Sequence, residues 1–151
     1  MNRSADKEAE GPFGADQLRA WARMLVRDNA YAWGVVDTIV SSVVGRGIQT
    51  MSDLPDADDI NEQRDELWQE WCKVCDINGQ LDWHSMQSLV QREMVEAGEV
   101  LVHMVSVSET DRGIRRPVPF ALELIEADRI AVEHSTLRAG KDGNEIIRGV
   151  E

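Results

Sequence analysis

Between Asp16 and Gly98 the apolar residues recur at three- and four-residue intervals, and beyond Gly98 the interval shortens, so the chain reads as helices followed by strands. The first set, Leu18, Trp21, Ala22 and Leu25, follows an i, i+3, i+4, i+7 template behind Asp16, a residue type that caps helices. It predicts a helix that buries one stripe and leaves the row Arg19, Arg23 and Arg27 outside. Asn29 is placed to cap a second helix reaching about Val44. There Ala32, Val35, Val36, Ile39, Val40 and Val43 form so wide an apolar face that the helix is expected to be mostly buried. Gly45 and Gly47 end it, and the acidic loop SDLPDADD follows.

A third helix is expected from about Asp58 to Cys75, started by one of Asp56, Asp58 and Asp59, with Leu67, Trp68, Trp71, Cys72, Val74 and Cys75 apolar. Asp82 caps a fourth, whose inward residues are Trp83, Met86, Leu89, Val90 and Met94 and which stops near Gly98. The pattern then changes. Glu99 to Val107 is β-rich and nearly continuously apolar, SETDRGIRRPVP is a charged connection, and Phe120, Leu122 and Leu124 alternate as in a strand with one buried face. Ala131 to Asn144 reads as a loop with a KDGN turn before a last strand-like stretch, EIIRGV. Helices first and strands afterwards give an α+β fold, about four helices packed on one side of a small antiparallel sheet. The expected organisation is a flexible arm over 1–14, a helical region over 15–98 and a β-rich region over 99–151, truncated at its last strand as if cut from something larger.

Length permits a real core, since a chain of 151 residues buries roughly two-thirds of the surface its unfolded form exposes. Two cysteines three residues apart cannot frame a secreted disulfide scaffold, and MNRSADKEAEGPFG lacks the apolar core of a signal peptide, which points to synthesis in a reducing cytosol. The longest apolar stretch, AYAWGVVDTIVSSVVG, is interrupted by Asp37 and hydroxyls and is shorter than the ~20 residues of a membrane span. Sixteen basic against 28 acidic residues leave a formal charge of -12, which disfavours a broad grip on nucleic-acid phosphates. Two local arginine clusters remain: the helical row 19, 23, 27, and Arg112, Arg115 and Arg116 in a turn.

Reactive chemistry is thinly represented. In WCKVCDINGQ, Cys72 and Cys75 sit at the end of a helix, where the dipole and Asp76 disfavour a thiolate, and they continue the stripe of Trp68 and Trp71, so packing explains them. A structural zinc site needs further ligands, but His84, His103 and His134 are scattered over a helix, a strand and a loop. As a calcium loop, alignment on Gly79 puts Val74 and Ser85 at the most demanding ligand positions, whereas Asp76 to Gly79 suits a turn between helices. Glu96, Glu99, Glu123, Glu126 and Asp128 form no recognisable acid–base pair, His103 suits a core or interface position, and GRG at 45–47 lacks the lysine and strand of a phosphate loop. No catalytic, metal or cofactor residue is expected.

The order of the blocks is more informative. RMLVRDNAYAWGVVDTIVSSVVGRGI, then a helix ending WQEWCKVCDINGQLDW, then LVQREMVEAGEVLV, LELIEADRI and GNEIIRGVE, over residues 18 to 151, resembles the N-terminal part of the lambda-type portal proteins of tailed bacteriophages. The resemblance implies a non-enzymatic, wing-like part of a subunit in an oligomeric ring, usually of twelve copies, at one capsid vertex. DNA would pass through the ring without sequence-specific binding, driven by terminase, with capsid and head–tail connector proteins as further partners, and assembly would take place in the bacterial cytoplasm. No cofactor is implied. Arg19, Arg23, Arg27, Arg112, Arg115 and Arg116 are then candidate contacts to the acidic surface of a neighbouring subunit. Two rival classes remain: an acidic α+β protein-binding module derived from a prophage, and a thiol or metal enzyme centred on Cys72 and Cys75.

Overall fold

Helices precede strands in the computed structural model, which describes residues 12–129. Helix α1 covers Pro12–Asp28, α2 Ala30–Val44, α3 Asp58–Cys72 and α4 Trp83–Glu96. Strands β1 (Val100–Ser106) and β4 (Phe120–Glu126) pair antiparallel, a small hairpin is made by β2 (Thr110–Asp111) and β3 (Ile114–Arg115), and a 3-10 turn spans Ala127–Arg129. The class is therefore α+β. The arm up to residue 11, the loop at 131–144 with its KDGN turn, His134 and the EIIRGV strand lie outside the described residues.

Local signals explain several boundaries. Asn29 Oδ1 accepts the backbone N–H groups of Tyr31 and Ala32 at 2.9 and 3.2 Å, satisfying two orphan donors at the start of α2. Asp82 does the same for Ser85 at 2.7 Å before α4, and that bond holds its carboxyl below the usual range. Gly45 and Gly98 adopt positive φ just past α2 and α4, the conformation that ends a helix. Other boundaries differ from expectation. α1 starts at Pro12, four residues ahead of Asp16, because proline is suited to a first turn whose N–H groups have no partner. α3 stops at Cys72, so Cys75 lies in the bend beyond it; its N-cap is Ala57, without a side-chain bond, and Asp58 and Asp59 act from within the first turn through their charge.

The described residues fall into two compact units: one from the described parts of Met1–Val36, Glu93–Val100 and Glu126–Glu151, the other from Asp37–Arg92 and Leu101–Ile125. The core of the second is aromatic. Trp71, Cys75, Met86 and Leu122 are buried together, with Trp68, Cys72, Trp83, Val118, Phe120 and Leu124 packed around them. Trp71 stacks on Trp68 and on Phe120, with ring centroids 5.0 and 5.7 Å apart, and its indole N–H donates to the Phe120 carbonyl at 2.9 Å. Phe120, Leu122 and Leu124 thus bring one face of β4 against α3 and α4. Beyond α3 the segment at 75–77 runs along β4: Leu122 N–H donates to Cys75 O at 2.7 Å and Ile77 N–H to Leu122 O at 2.9 Å. The turn that follows closes through Gly79 at φ +66, with Gln80 N–H bonded to the Asp76 carboxylate at 2.9 Å.

Burial departs from expectation in four places. Leu18, Trp21 and Leu25 of α1 are exposed, while Arg19 on the opposite stripe is buried. Among the described residues α2 buries Val36 and Val40 deeply and leaves Tyr31, Trp33, Val35 and Val43 largely exposed, so it is not mostly buried there. Met94 is half exposed, and β1 is exposed along most of its length, including His103, which is therefore not a core residue. The charged connection contains a hairpin that its sequence does not announce, with Arg112 and Gly113 both at positive φ, as a two-residue turn of this hand requires.

Candidate subunit interface

Arg19 and Arg23 of the α1 row turn into the first unit because carboxylates wait there. Arg19 donates to Asp16 at 2.9 Å and to Glu99 at 2.7 Å and lies 3.9 Å from Asp128. Arg23 donates to Glu93 at 3.0 Å and to Asp128. Two guanidiniums thus face four carboxylates, three of them about half exposed, so water shares the solvation and each pair contributes modestly. Arg27, one turn further on, stands in solvent beside Asp28: their bond at 2.9 Å raises the pKa of the guanidinium and lowers that of the carboxyl.

The second cluster is divided in the same way. Arg112 donates to Asn78 Oδ1 at 2.7 Å from the hairpin turn, and Arg115 is exposed on β3. Arg116, in contrast, is 3% exposed. Its Nη2 donates to the carbonyls of Asp76 and Ile77, both at 2.9 Å, while Nε and Nη1 have no protein partner. A cation held by neutral carbonyls alone is unusual, because the desolvation of a charge is normally offset by an opposite charge. Its effect here is to tie the bend after α3 to the segment after β3. Of the six sequence-predicted positions, the structure leaves Arg27, Arg112 and Arg115 facing solvent and uses Arg19, Arg23 and Arg116 internally.

Of the other candidates, Glu99 and Asp128 meet at Arg19 and His103 meets Glu123, while the thiols and His84 lie elsewhere. Cys75 is fully buried and Cys72 partly so, both as free thiols. Burial, helped by the neighbouring Cys72, pushes the Cys75 thiol up to about 11, and burial with Asp82 raises Cys72 as well. A thiol that resists ionisation is a poor nucleophile and a poor metal ligand. Among the described residues no three His, Cys, Asp or Glu side chains gather as metal ligands would, and no helix is long and apolar enough to cross a membrane. His103 sits 3.2 Å from Glu123 on the exposed sheet, and His84 is 3.1 Å from the Gly45 carbonyl. An open groove of about 620 Å³ in the second unit is walled by Met51, Leu54, Leu67, Trp68, Val118 and Phe120, with Arg64 and Asp65 among its polar walls. Asp65 is already engaged, accepting Ser52 N–H at 2.8 Å.

The raised Cys75 pKa has a pH signature. Burial favours the neutral thiol, so its contribution to stability is complete below the ordinary value of 9.0 and falls as pH rises towards about 11, where the unfolded chain binds fewer protons than the folded one. The melting temperature of the wild type is therefore expected to fall more steeply between pH 9 and 11 than that of Cys75→Ala. Parallel profiles in a differential scan would refute the assignment.

Along residues 1–151 the chain matches one family model, described as phage portal protein, lambda family. No curated protein matches it.

Proposed function

Because the chain belongs to the lambda family of phage portal proteins, we propose that it is a structural part of the portal vertex, the ring through which DNA enters the capsid and later leaves. The observation that carries this reading is the family match over residues 1–151. The chemistry is compatible with it: burial raises the pKa of both thiols, and the net charge of -12 suits a surface that lets DNA slide. Energy for packaging then comes from a separate terminase motor, and this chain contributes shape and contacts. We assign it to the outer, wing-like part of a subunit in a ring of usually twelve, assembled in the bacterial cytoplasm and incorporated in the virion.

Within that role the arginines divide by what they can still reach. Arg27, Arg112 and Arg115 are exposed and suited to the acidic surface of a neighbouring subunit or a capsid or connector protein, whereas Arg19, Arg23 and Arg116 hold their own subunit in shape. The deciding experiment is a nonsense mutation in the gene, made in the phage or prophage that encodes it. The expected result is capsids devoid of DNA, with packaging restored by the gene supplied in trans. Normal yields of DNA-filled heads from the mutant would overturn the proposal.

A further inference from the structure

The groove of the second unit combines aromatic walls with acidic edges. Trp68, Phe120 and Val118 line it from the aromatic core, where Trp68 is held by stacking on Trp71 at 5.0 Å, and the chain at 50–54 adds Met51 and Leu54. That chain is fastened to α3. Asp65 accepts Ser52 N–H at 2.8 Å, and Asn61 both accepts Leu54 N–H and donates to Leu54 O, each at 3.0 Å. The groove is therefore formed before any partner arrives, and little freedom is lost in ordering it on binding. Three of its apolar residues stay open to water: Met51, Leu67 and Leu54 are 86%, 44% and 40% exposed.

Charge selects the occupant. Segment 53–66 supplies Asp53, Leu54, Arg64 and Asp65 to the lining, and it carries seven carboxylates against one guanidinium. Nucleic-acid phosphate is repelled by such an edge, and so is a second copy of this chain, itself at a formal charge of -12. Small molecules are held best where most of their surface is enclosed, which a groove open to solvent does not offer. A length of polypeptide can instead lay one apolar side chain into the groove and keep its neighbours at the acidic edge.

We propose that this groove docks a short segment of another protein, one with a large apolar side chain flanked by lysine or arginine. The apolar residue covers Met51, Leu67 and Trp68, and the flanking cation meets Asp53 and the oxygen of Asp65 that Ser52 does not use. Burial supplies the affinity, and the carboxylates supply the preference for a basic partner. The inference is made from the second unit alone and does not depend on the portal reading.

The test titrates the 151-residue chain, nitrogen-labelled, and follows the indole N–H signals of its five tryptophans by NMR. The probes are three short capped peptides that share a Leu-Phe-Leu centre and differ in their flanks: lysine and arginine, serine, or glutamate. The basic peptide is expected to shift the Trp68 signal and to bind about tenfold more tightly than the glutamate peptide, a gap that narrows as salt is raised. Leu67→Lys and, separately, Met51→Lys place a cation in the apolar contact, and each is expected to weaken the basic peptide by about tenfold or more. Both positions are exposed, and circular dichroism verifies that each variant folds. Arg64→Glu is expected to tighten the same peptide by about threefold. A glutamate peptide that binds more tightly than the basic one, or an Arg64→Glu variant that weakens the basic one, would assign the groove to an acidic partner and overturn the proposal. A Trp68 signal that moves with protein concentration alone, and no longer does so in Leu67→Lys, would assign it to a second copy. No shift of Trp68 at about 1 mM basic peptide, or a shift that both lysine variants leave unchanged, would overturn the docking site itself.

Discussion

Trp71→Ala is expected to lower the stability of the chain by about 3–5 kcal/mol, the range for removing a buried aromatic from a packed core. Trp71 is 4% exposed and touches both halves of its core: it stacks on Trp68 of the same helix and on Phe120 of β4, with Trp83 of α4 tilted against it at 5.8 Å. Alanine would remove these contacts at once and leave the Phe120 carbonyl without its indole donor. Trp71→Phe separates the two effects, since it keeps a ring in the stack and loses the N–H; a loss of about 1–2 kcal/mol is expected. Urea unfolding at constant m-value measures both. A midpoint for Trp71→Ala within error of the wild type would mean that the aromatic cluster does not hold α3, α4 and β4 together.

Arg116→Ala is expected to cost about 2–4 kcal/mol, because it removes a donor from two carbonyls and opens a cavity. The sign of the charge effect runs the other way. Nε and Nη1 are buried without protein partners, so removing the cation also removes an unfavourable desolvation. Arg116→Met, which keeps most of the volume and loses the charge, is therefore expected to be more stable than Arg116→Ala. Lysine is not a conservative exchange here, since one ammonium cannot reproduce the spread of a planar guanidinium across the Asp76 and Ile77 carbonyls. Denaturation midpoints order the three variants, and a methionine variant less stable than alanine would show that the charge itself is favourable in this site.

What the sequence made legible was local. Asn29 and Asp82 cap their helices through bonds that span two or three residues, so residue type and position suffice to foresee them. The alternation of Phe120, Leu122 and Leu124 and the packing role of the two thiols were equally readable, because both follow from one stripe of apolar residues meeting another. The orientation of α1 was not. Periodicity reveals that a helix has two faces; which one turns inward depended on Glu93, Glu99 and Asp128, 70 to 109 residues further along the chain, and a row of arginines ordinarily marks the solvent side. The composition of α2 is likewise that of a buried helix, but among the described residues its cover is partial. A turn is legible around Arg112 to Arg116, but the β2–β3 pairing is not, because Arg112 occupies a left-handed conformation usually left to Asn, Asp or Gly. Of the six arginines singled out, sequence had no means of separating the three that face solvent from the three that are used inside, since that division is tertiary.

The long reach of the α1 ion pairs matters while the protein is being made. Arg19 meets Glu99 across 80 residues, and Arg23 meets Asp128 across 105. At elongation rates of roughly 5–20 residues per second the ribosome needs roughly 5–20 s to supply that last partner after Arg23 has been added. Through most of this interval Arg19 has only Asp16 within reach and Arg23 waits for Glu93, so the ion-pair cluster that sets which face of α1 turns inward is completed last.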